Sequence, residues 1–268
     1  MFYAKQEILE EGWTAELSLY IQDNFAGIDP KRKRPLILIC PGGGYENLSD
    51  REGEPVALRM LALGFHAAVL KYSVAPAEYP TALRQLGKAL LCIKDLAAVH
   101  GIDHQRIFVM GFSAGGHLAA SLGAFWQDKL LSDLTNDSEQ LRPAGLILCY
   151  PVISGGSHVH VSSFKKLLGD RLETLRDQLS IEQQVTAAFP PTFIWHTLED
   201  QVVPVQNSLL LVEQLVKKKI FCEFHLYPKG PHGLSLGTEE TKSPERDMIL
   251  PRIQSWPEDM AKWLDEVK

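Results

Sequence analysis

Short apolar runs recur along the chain at 36–40, 67–72, 107–110, 146–150, 192–196 and 223–227, each about the length of a strand and each bordered by Gly or Pro. Several lack polar–apolar alternation, as strands buried on both faces do. Segments of helical period separate them. In 55–63 the apolar residues Val56, Met60 and Leu63 fall at i, i+4 and i+7, and 81–99, 116–125, 205–216 and 257–267 read the same way. Strands alternating with helices predict an α/β fold whose mainly parallel central sheet is covered on both faces. The run 14–21 does alternate, with Ala15, Leu17, Leu19 and Ile21 on one face, and is expected as an antiparallel edge strand. Ser49 and Glu52 have the spacing of a capping box ahead of the first helix.

The segment 153–189 breaks the rhythm. It is polar, opens on Ser154-Gly155-Gly156-Ser157 and holds a short helical pattern near Phe164 to Leu168. It is expected as a cap-like insertion over one end of the sheet, too short to be a domain. Residues 1–268 are therefore read as a single domain.

Composition narrows the function. With 27 Lys+Arg against 33 Asp+Glu, a net charge of −6 and 45% hydrophobic residues, this is a globular chain with a real core. Its charge balance argues against nucleic acid or an anionic membrane as partner. The steepest basic stretch, Lys31 to Arg34, lies between Pro30 and Pro35 and is expected as a solvated loop. Cys40, Cys92, Cys149 and Cys222 show no C-x-x-C spacing, so neither a zinc site nor a disulfide framework is expected. No run approaches the roughly 20 apolar residues of a membrane span, and the first twelve residues do not read as a signal peptide. The expected location is cytoplasmic.

Gly111-Phe112-Ser113-Ala114-Gly115 follows one of the apolar runs and opens a helical segment. This is G-x-S-x-G in its strand–turn–helix setting. A serine held in a strained turn needs neighbours without side chains, and the helix start behind it favours developing negative charge. A base and an acid that orients it are then required, and in such folds they follow in the order acid, His. Asp200 comes four residues beyond the run at 192–196, with Glu199 as a weaker rival, and it could also cap the helix after Pro204. His232 stands in Gly230-Pro231-His232-Gly233 just past the run at 223–227, a placement that core packing does not explain.

The other histidines fit less well. His117 lies inside the helix behind the serine, and His196 and His225 lie within strands. His66, His100 and His104 are expected at the surface, and His158 and His160 as two exposed imidazoles rather than a metal pair. Acyl transfer also needs donors for an oxyanion. Pro41-Gly42-Gly43-Gly44-Tyr45 follows the run at 36–40 and makes the amides of Gly43 and Gly44, with that of Ala114, the candidate oxyanion hole. A phosphate-binding loop is the rival reading of these glycines, but no phosphate-loop motif accompanies them. No metal or organic cofactor is required.

These motifs follow one another as P-G-G-G-Y, D-R-E-G-E-P-V-A from Asp50, G-F-S-A-G-G-H-L-A-A, Y-P-V-I-S from Tyr150, P-P-T-F-I-W-H-T from Pro190, D-Q-V-V-P from Asp200 and P-H-G-L-S-L from Pro231. In this order the chain resembles the bacterial α/β-hydrolase esterases related to acetylxylan and feruloyl esterases, themselves distant relatives of the hormone-sensitive-lipase group. The resemblance implies the α/β-hydrolase fold and the triad Ser113, Asp200 and His232. It also implies hydrolysis of short acyl esters, acetyl above all, on carbohydrate-like alcohols. Where the lipase group opens its oxyanion motif with His, this chain has Pro41. The large lipase cap is also missing, which fits a short acyl group. Tyr45, Tyr150, Trp195 and His196 lie next to strand ends and are expected near the substrate. The alternatives are a small amide or peptide hydrolase and a non-catalytic binding protein of the same fold. The oligomeric state is left open, and the partner expected is a small-molecule ester.

Overall fold

The structure, a computed structural model, describes residues 1–245 and 248–267. Its strands are β1 (Phe2–Glu10), β2 (Trp13–Ile21), β3 (Arg34–Cys40), β4 (His66–Lys71), β5 (Ile102–Phe112), β6 (Leu146–Cys149), β7 (Thr192–Thr197) and β8 (Cys222–Tyr227). They form one eight-stranded sheet in the order β1-β2-β4-β3-β5-β6-β7-β8. The pairs β1–β2 and β2–β4 are antiparallel, and every other pair is parallel. The helices are α1 (Glu54–Ala62), α2 (Thr81–His100), α3 (Ala114–Phe125), α4 (Val161–Leu168), α5 (Leu172–Leu175), α6 (Gln206–Lys217) and α7 (Trp256–Glu266).

The period-2 geometry of strands divides the core into two layers. Leu36, Leu38, Val109, Leu148 and Ile194 face the apolar sides of α2, α3 and α6, including Leu86, Leu90, Leu118 and Leu211. Ile37, Ile39, Phe108, Met110, Ile147 and Phe193 face Val56 and Met60 of α1 and Trp256, Met260 and Trp263 of α7. Each such side chain contributes about 1.5–3 kcal/mol on burial, so the central strands are clamped from both sides. Register then aligns their C-terminal ends: Cys40 pairs with Gly111, Phe112 with Cys149, Cys149 with Trp195 and Thr197 with Tyr227.

The edge-strand expectation for 14–21 is corrected. β2 is antiparallel, but it lies between β1 and β4. The edge belongs to Phe2–Glu10, of which only Ile8 and Glu10 are buried, so its apolar signal is weak. Glu11 and Gly12, both at positive φ, turn β1 into β2. Two further corrections concern exposure. Arg34 leaves the basic loop to open β3 and is buried, and His66 is fully buried, with Nδ1 accepting from the Gln22 amide at 3.1 Å.

Candidate active site

Ser113 stands between β5 and α3 at φ 52°, ψ −117°, a strained conformation for a residue with a Cβ. Its surroundings enforce the turn. The Ser113 amide donates to the Cys149 carbonyl at 3.0 Å, and its own carbonyl accepts from the amides of His117 and Val152 at 3.1 and 3.0 Å. The backbone passes so closely that a Cβ on Gly111 would lie 2.1 Å from the Gly115 carbonyl oxygen, and one on Gly115 would lie 2.1 Å from that of Cys40.

Asp200 follows β7 and His232 follows β8, so the aligned strand ends bring them to Ser113. His232 Nε2 lies 2.8 Å from Ser113 Oγ and Nδ1 lies 2.6 Å from Asp200 Oδ2. Asp200 Oδ1 accepts from the amides of Val202 and Val203, each at 2.9 Å. Burial alone would raise the Asp200 carboxyl. Hydrogen bonds from His196 and His232, the adjacent His232 ring and the Val203 amide outweigh it and hold the group well below the usual carboxylate range. It is therefore an anion facing the imidazole. Glu199, the rival acid, is exposed and accepts from the Gly230 amide at 3.3 Å.

The glycine loop after β3 lies beside this chain of groups because β3 pairs with β5. Gly43 and Gly44 both take positive φ, 129° and 67°. A Cβ on Gly43 would meet the Asn47 carbonyl oxygen at 2.1 Å, so only glycine fits there. Ala114, the residue after Ser113, is the first of α3. Pro41 supplies no side-chain anchor, and two buried groups hold the loop instead. The Gly42 amide donates to Glu52 Oε2 at 2.8 Å, and the Tyr72 hydroxyl donates to the Pro41 carbonyl at 2.7 Å.

Glu52 is accordingly not part of a capping box. Ser49 makes no side-chain cap, and a short 3-10 turn (Asp50–Glu52) precedes α1. Glu52 is 3% exposed, and its Oε1 accepts from the Tyr150 hydroxyl at 2.7 Å. The three aromatic residues expected at the substrate are corrected as well. Trp195 is fully buried in β7, stacked on Trp256 with ring centroids 5.7 Å apart. Tyr45 is buried with its hydroxyl 2.9 Å from His117 Nδ1. Tyr150, 2% exposed, supports His232 from behind, with ring centroids 5.0 Å apart. All three lie within the core rather than at its surface, Tyr150 and Trp195 in the layer under α7 and Tyr45 in the opposite one.

Two histidines stand where the sequence reading did not put them. His196, fully buried in β7, has Nε2 3.2 Å from Asp200 Oδ2 and 3.0 Å from the Val203 carbonyl. Two acceptors at one nitrogen put the proton on Nε2, and Ser208 Oγ, 2.8 Å from Nδ1, is the donor on the other side. His160 pairs with Ser163 rather than with His158, its Nδ1 2.7 Å from Ser163 Oγ. Among the described residues no group of three or more His, Cys, Asp or Glu side chains is placed to hold a metal. Among them, too, no helix is long and apolar enough to cross a membrane.

The sheet order, with Ser113 in its turn and the acid and histidine beyond the following strands, defines an α/β-hydrolase. Within that class the chain belongs to the BD-FAE family, whose model matches residues 23–215. It is 36% identical over 213 residues to endo-1,4-beta-xylanase B of Butyrivibrio fibrisolvens, covering 78% of this chain and 34% of that protein. Two solved structures are similar over nearly the whole of both chains. The carboxylesterase Cest-2923 of Lactobacillus plantarum WCFS1 has a TM-score of 0.86 at 31% identity, covering 99% of this chain and 98% of that one. An acetyl ester-xyloside bifunctional hydrolase of Caldicellulosiruptor lactoaceticus has a TM-score of 0.84 at 33% identity, covering 98% and 96%. The chain spans about a third to a half of the length of the curated relatives it matches first.

Proposed function

We propose that this protein is a serine carboxylic ester hydrolase that removes short acyl groups, acetyl above all, from carbohydrate-like alcohols. The observation that carries the reading is the hydrogen-bonded chain from Ser113 through His232 to Asp200, at 2.8 and 2.6 Å. His232 takes the Ser113 proton as Oγ attacks the ester carbonyl. Asp200 holds the imidazole tautomer and stabilises the imidazolium. The amides of Gly43, Gly44 and Ala114 receive the developing oxyanion, each worth about 2.7–4 kcal/mol in hydrolases of this kind. His232 then protonates the departing alcohol, and water attacks the acyl-enzyme with the same histidine as base.

A short acyl group, acetyl, is supported by the acetyl ester-xyloside hydrolase among the similar structures. Carbohydrate esters are supported by the xylanase and the xyloside hydrolase among the similar proteins. We read residues 1–268 as one hydrolase domain, with 153–189 as a small cap over the site. The four unpaired cysteines fit a reducing compartment, the cytoplasm.

The test is acetate release from acetylated xylo-oligosaccharides, beside p-nitrophenyl acetate and butyrate, for wild type and Ser113→Ala. Serine-dependent turnover of the sugars, with a loss on the order of 10⁶-fold in the variant, is the expected result. Turnover of the nitrophenyl esters alone would remove the carbohydrate assignment, and a variant as active as wild type would remove the mechanism.

A further inference from the structure

The insertion after β6 is fixed against the site. Asn207 of α6, fully buried, accepts the amides of Ile153 and Ser154 through Oδ1, each at 2.9 Å, and donates through Nδ2 to the His158 carbonyl at 2.9 Å. Lys166 of α4 pairs with Glu46, just past the glycine loop, at 2.6 Å. Phe164 packs its ring against His117 with centroids 5.3 Å apart. His160 immediately precedes α4 and is held with it at the border of the site. Its partner Ser163 borders Gly44, and its ring lies close enough to His232 and Asp200 to feel the charge of both.

The tautomer of His160 follows from its partners. Ser163 is buried, and His160 Nδ1 is its side chain's hydrogen-bond partner, at 2.7 Å. A hydroxyl buried with one partner donates to it. Nδ1 therefore accepts, and the proton sits on Nε2, which has no protein partner among the described residues. Burial, and then the facing His232, lower the proton affinity of the ring, with Asp200 opposing. At neutral pH it is an uncharged N–H donor, suited to a neutral oxygen rather than to a carboxylate.

We propose that His160 is the specificity-determining residue for the alcohol half of the substrate: its Nε2–H donates to a free hydroxyl neighbouring the scissile ester. The assignment to the alcohol half rests on the esterase reading above, in which His232 must reach the leaving oxygen. A group beside His232 then lies beside the alcohol, while the acyl carbonyl points to Gly43 and Gly44. A plain alkyl alcohol offers His160 no acceptor, and a sugar or glycol does. A site built to bond a hydroxyl discriminates against the analogue that lacks it.

The experiment compares kcat/KM for 2-hydroxyethyl acetate and ethyl acetate, which share the acyl group and differ by one hydroxyl, by acetate release. Wild type favours the hydroxylated ester, and in His160→Ala the ratio of the two values falls about tenfold, the equivalent of one neutral hydrogen bond. His160→Gln, whose amide nitrogen reaches about as far as Nε2, keeps most of the ratio and separates the hydrogen bond from packing. An equal preference in wild type, an unchanged ratio in His160→Ala, or a parallel loss on both esters overturns the proposal. Ser113-dependent hydrolysis with an unchanged ratio sinks this proposal alone. Hydrolysis of neither ester by wild type, or of both by Ser113→Ala, sinks the esterase reading and this one with it.

Discussion

Removing one oxygen from Tyr150 should unsettle both halves of the site. The Tyr150 hydroxyl donates to Glu52 Oε1 at 2.7 Å and accepts from the Ser235 amide at 2.9 Å. Burial and the neighbouring Glu52 raise its proton affinity well above that of free tyrosine, so it remains the donor. Glu52 in turn holds the Gly42 amide, and Ser235 lies three residues beyond His232. One hydroxyl thus joins the glycine loop to the histidine loop. Tyr150→Phe leaves a buried carboxylate short of a charge-assisted bond, about 1.5–3 kcal/mol, and orphans a buried amide at about 1–3 kcal/mol. The ring packing against His232 and Trp195 is retained, so no cavity cost enters. The expected destabilisation is about 2.5–6 kcal/mol in urea unfolding at pH 7, with kcat on p-nitrophenyl acetate down roughly 10- to 100-fold through misplacement of His232. A double-mutant cycle with Glu52→Gln should show a coupling above about 1 kcal/mol. A loss below about 1 kcal/mol, or strict additivity with Glu52→Gln, would refute the linkage.

Three other outcomes follow from the same geometry. Gly43→Ala drives a Cβ to 2.1 Å from the Asn47 carbonyl oxygen at φ 129°, so the loop must move, and kcat should fall about 10²- to 10³-fold in steady-state assays. His196→Phe strips Asp200 and the Val203 carbonyl of a buried donor; an expected cost of about 2–4 kcal/mol is read by thermal unfolding, and the loosened carboxylate should show as a lower kcat at unchanged KM. Stability should also decline in mild acid. Burial holds His66 and His117 down to about 4, whereas a solvated imidazole protonates near 6.5. Between those values the unfolded chain binds more protons than the native one, so stability is full above about pH 6.5 and drops by about 3 kcal/mol per ring as pH falls to about 4. Asp200, held low, adds to the loss through the ordinary carboxylate range. Urea midpoints equal at pH 7.5 and 5 would contradict this.

What the sequence makes legible here is whatever is both local and forced. The parallel strands announce themselves because burial on both faces leaves unbroken apolar runs, whereas Phe2–Glu10 stays hidden because an edge strand with two buried side chains has no such run. Ser113, Asp200 and His232 stand out because each follows a strand end and two of them are framed by glycine, a pattern that chain geometry explains and packing does not. Glu52 has the spacing of a cap, and nothing local separates that from a carboxylate whose partners lie 10 and 98 residues away. Tyr150 and Trp195 show the complementary error. Their place beside strand ends suggests contact with substrate, but both rings belong to the core layer under α7, packed on one another and, through Trp195, on Trp256 from distant sequence. His160 is the plainest case. Two residues from His158 it looks like half of an exposed pair, whereas its link through Ser163 to the glycine loop depends on an insertion whose start is pinned by Asn207, in a helix beyond the next strand. The candidate triad is thus set by strand ends that the sequence displays, while the groups packed around it, and the residue proposed to choose the substrate, are set by contacts between loops.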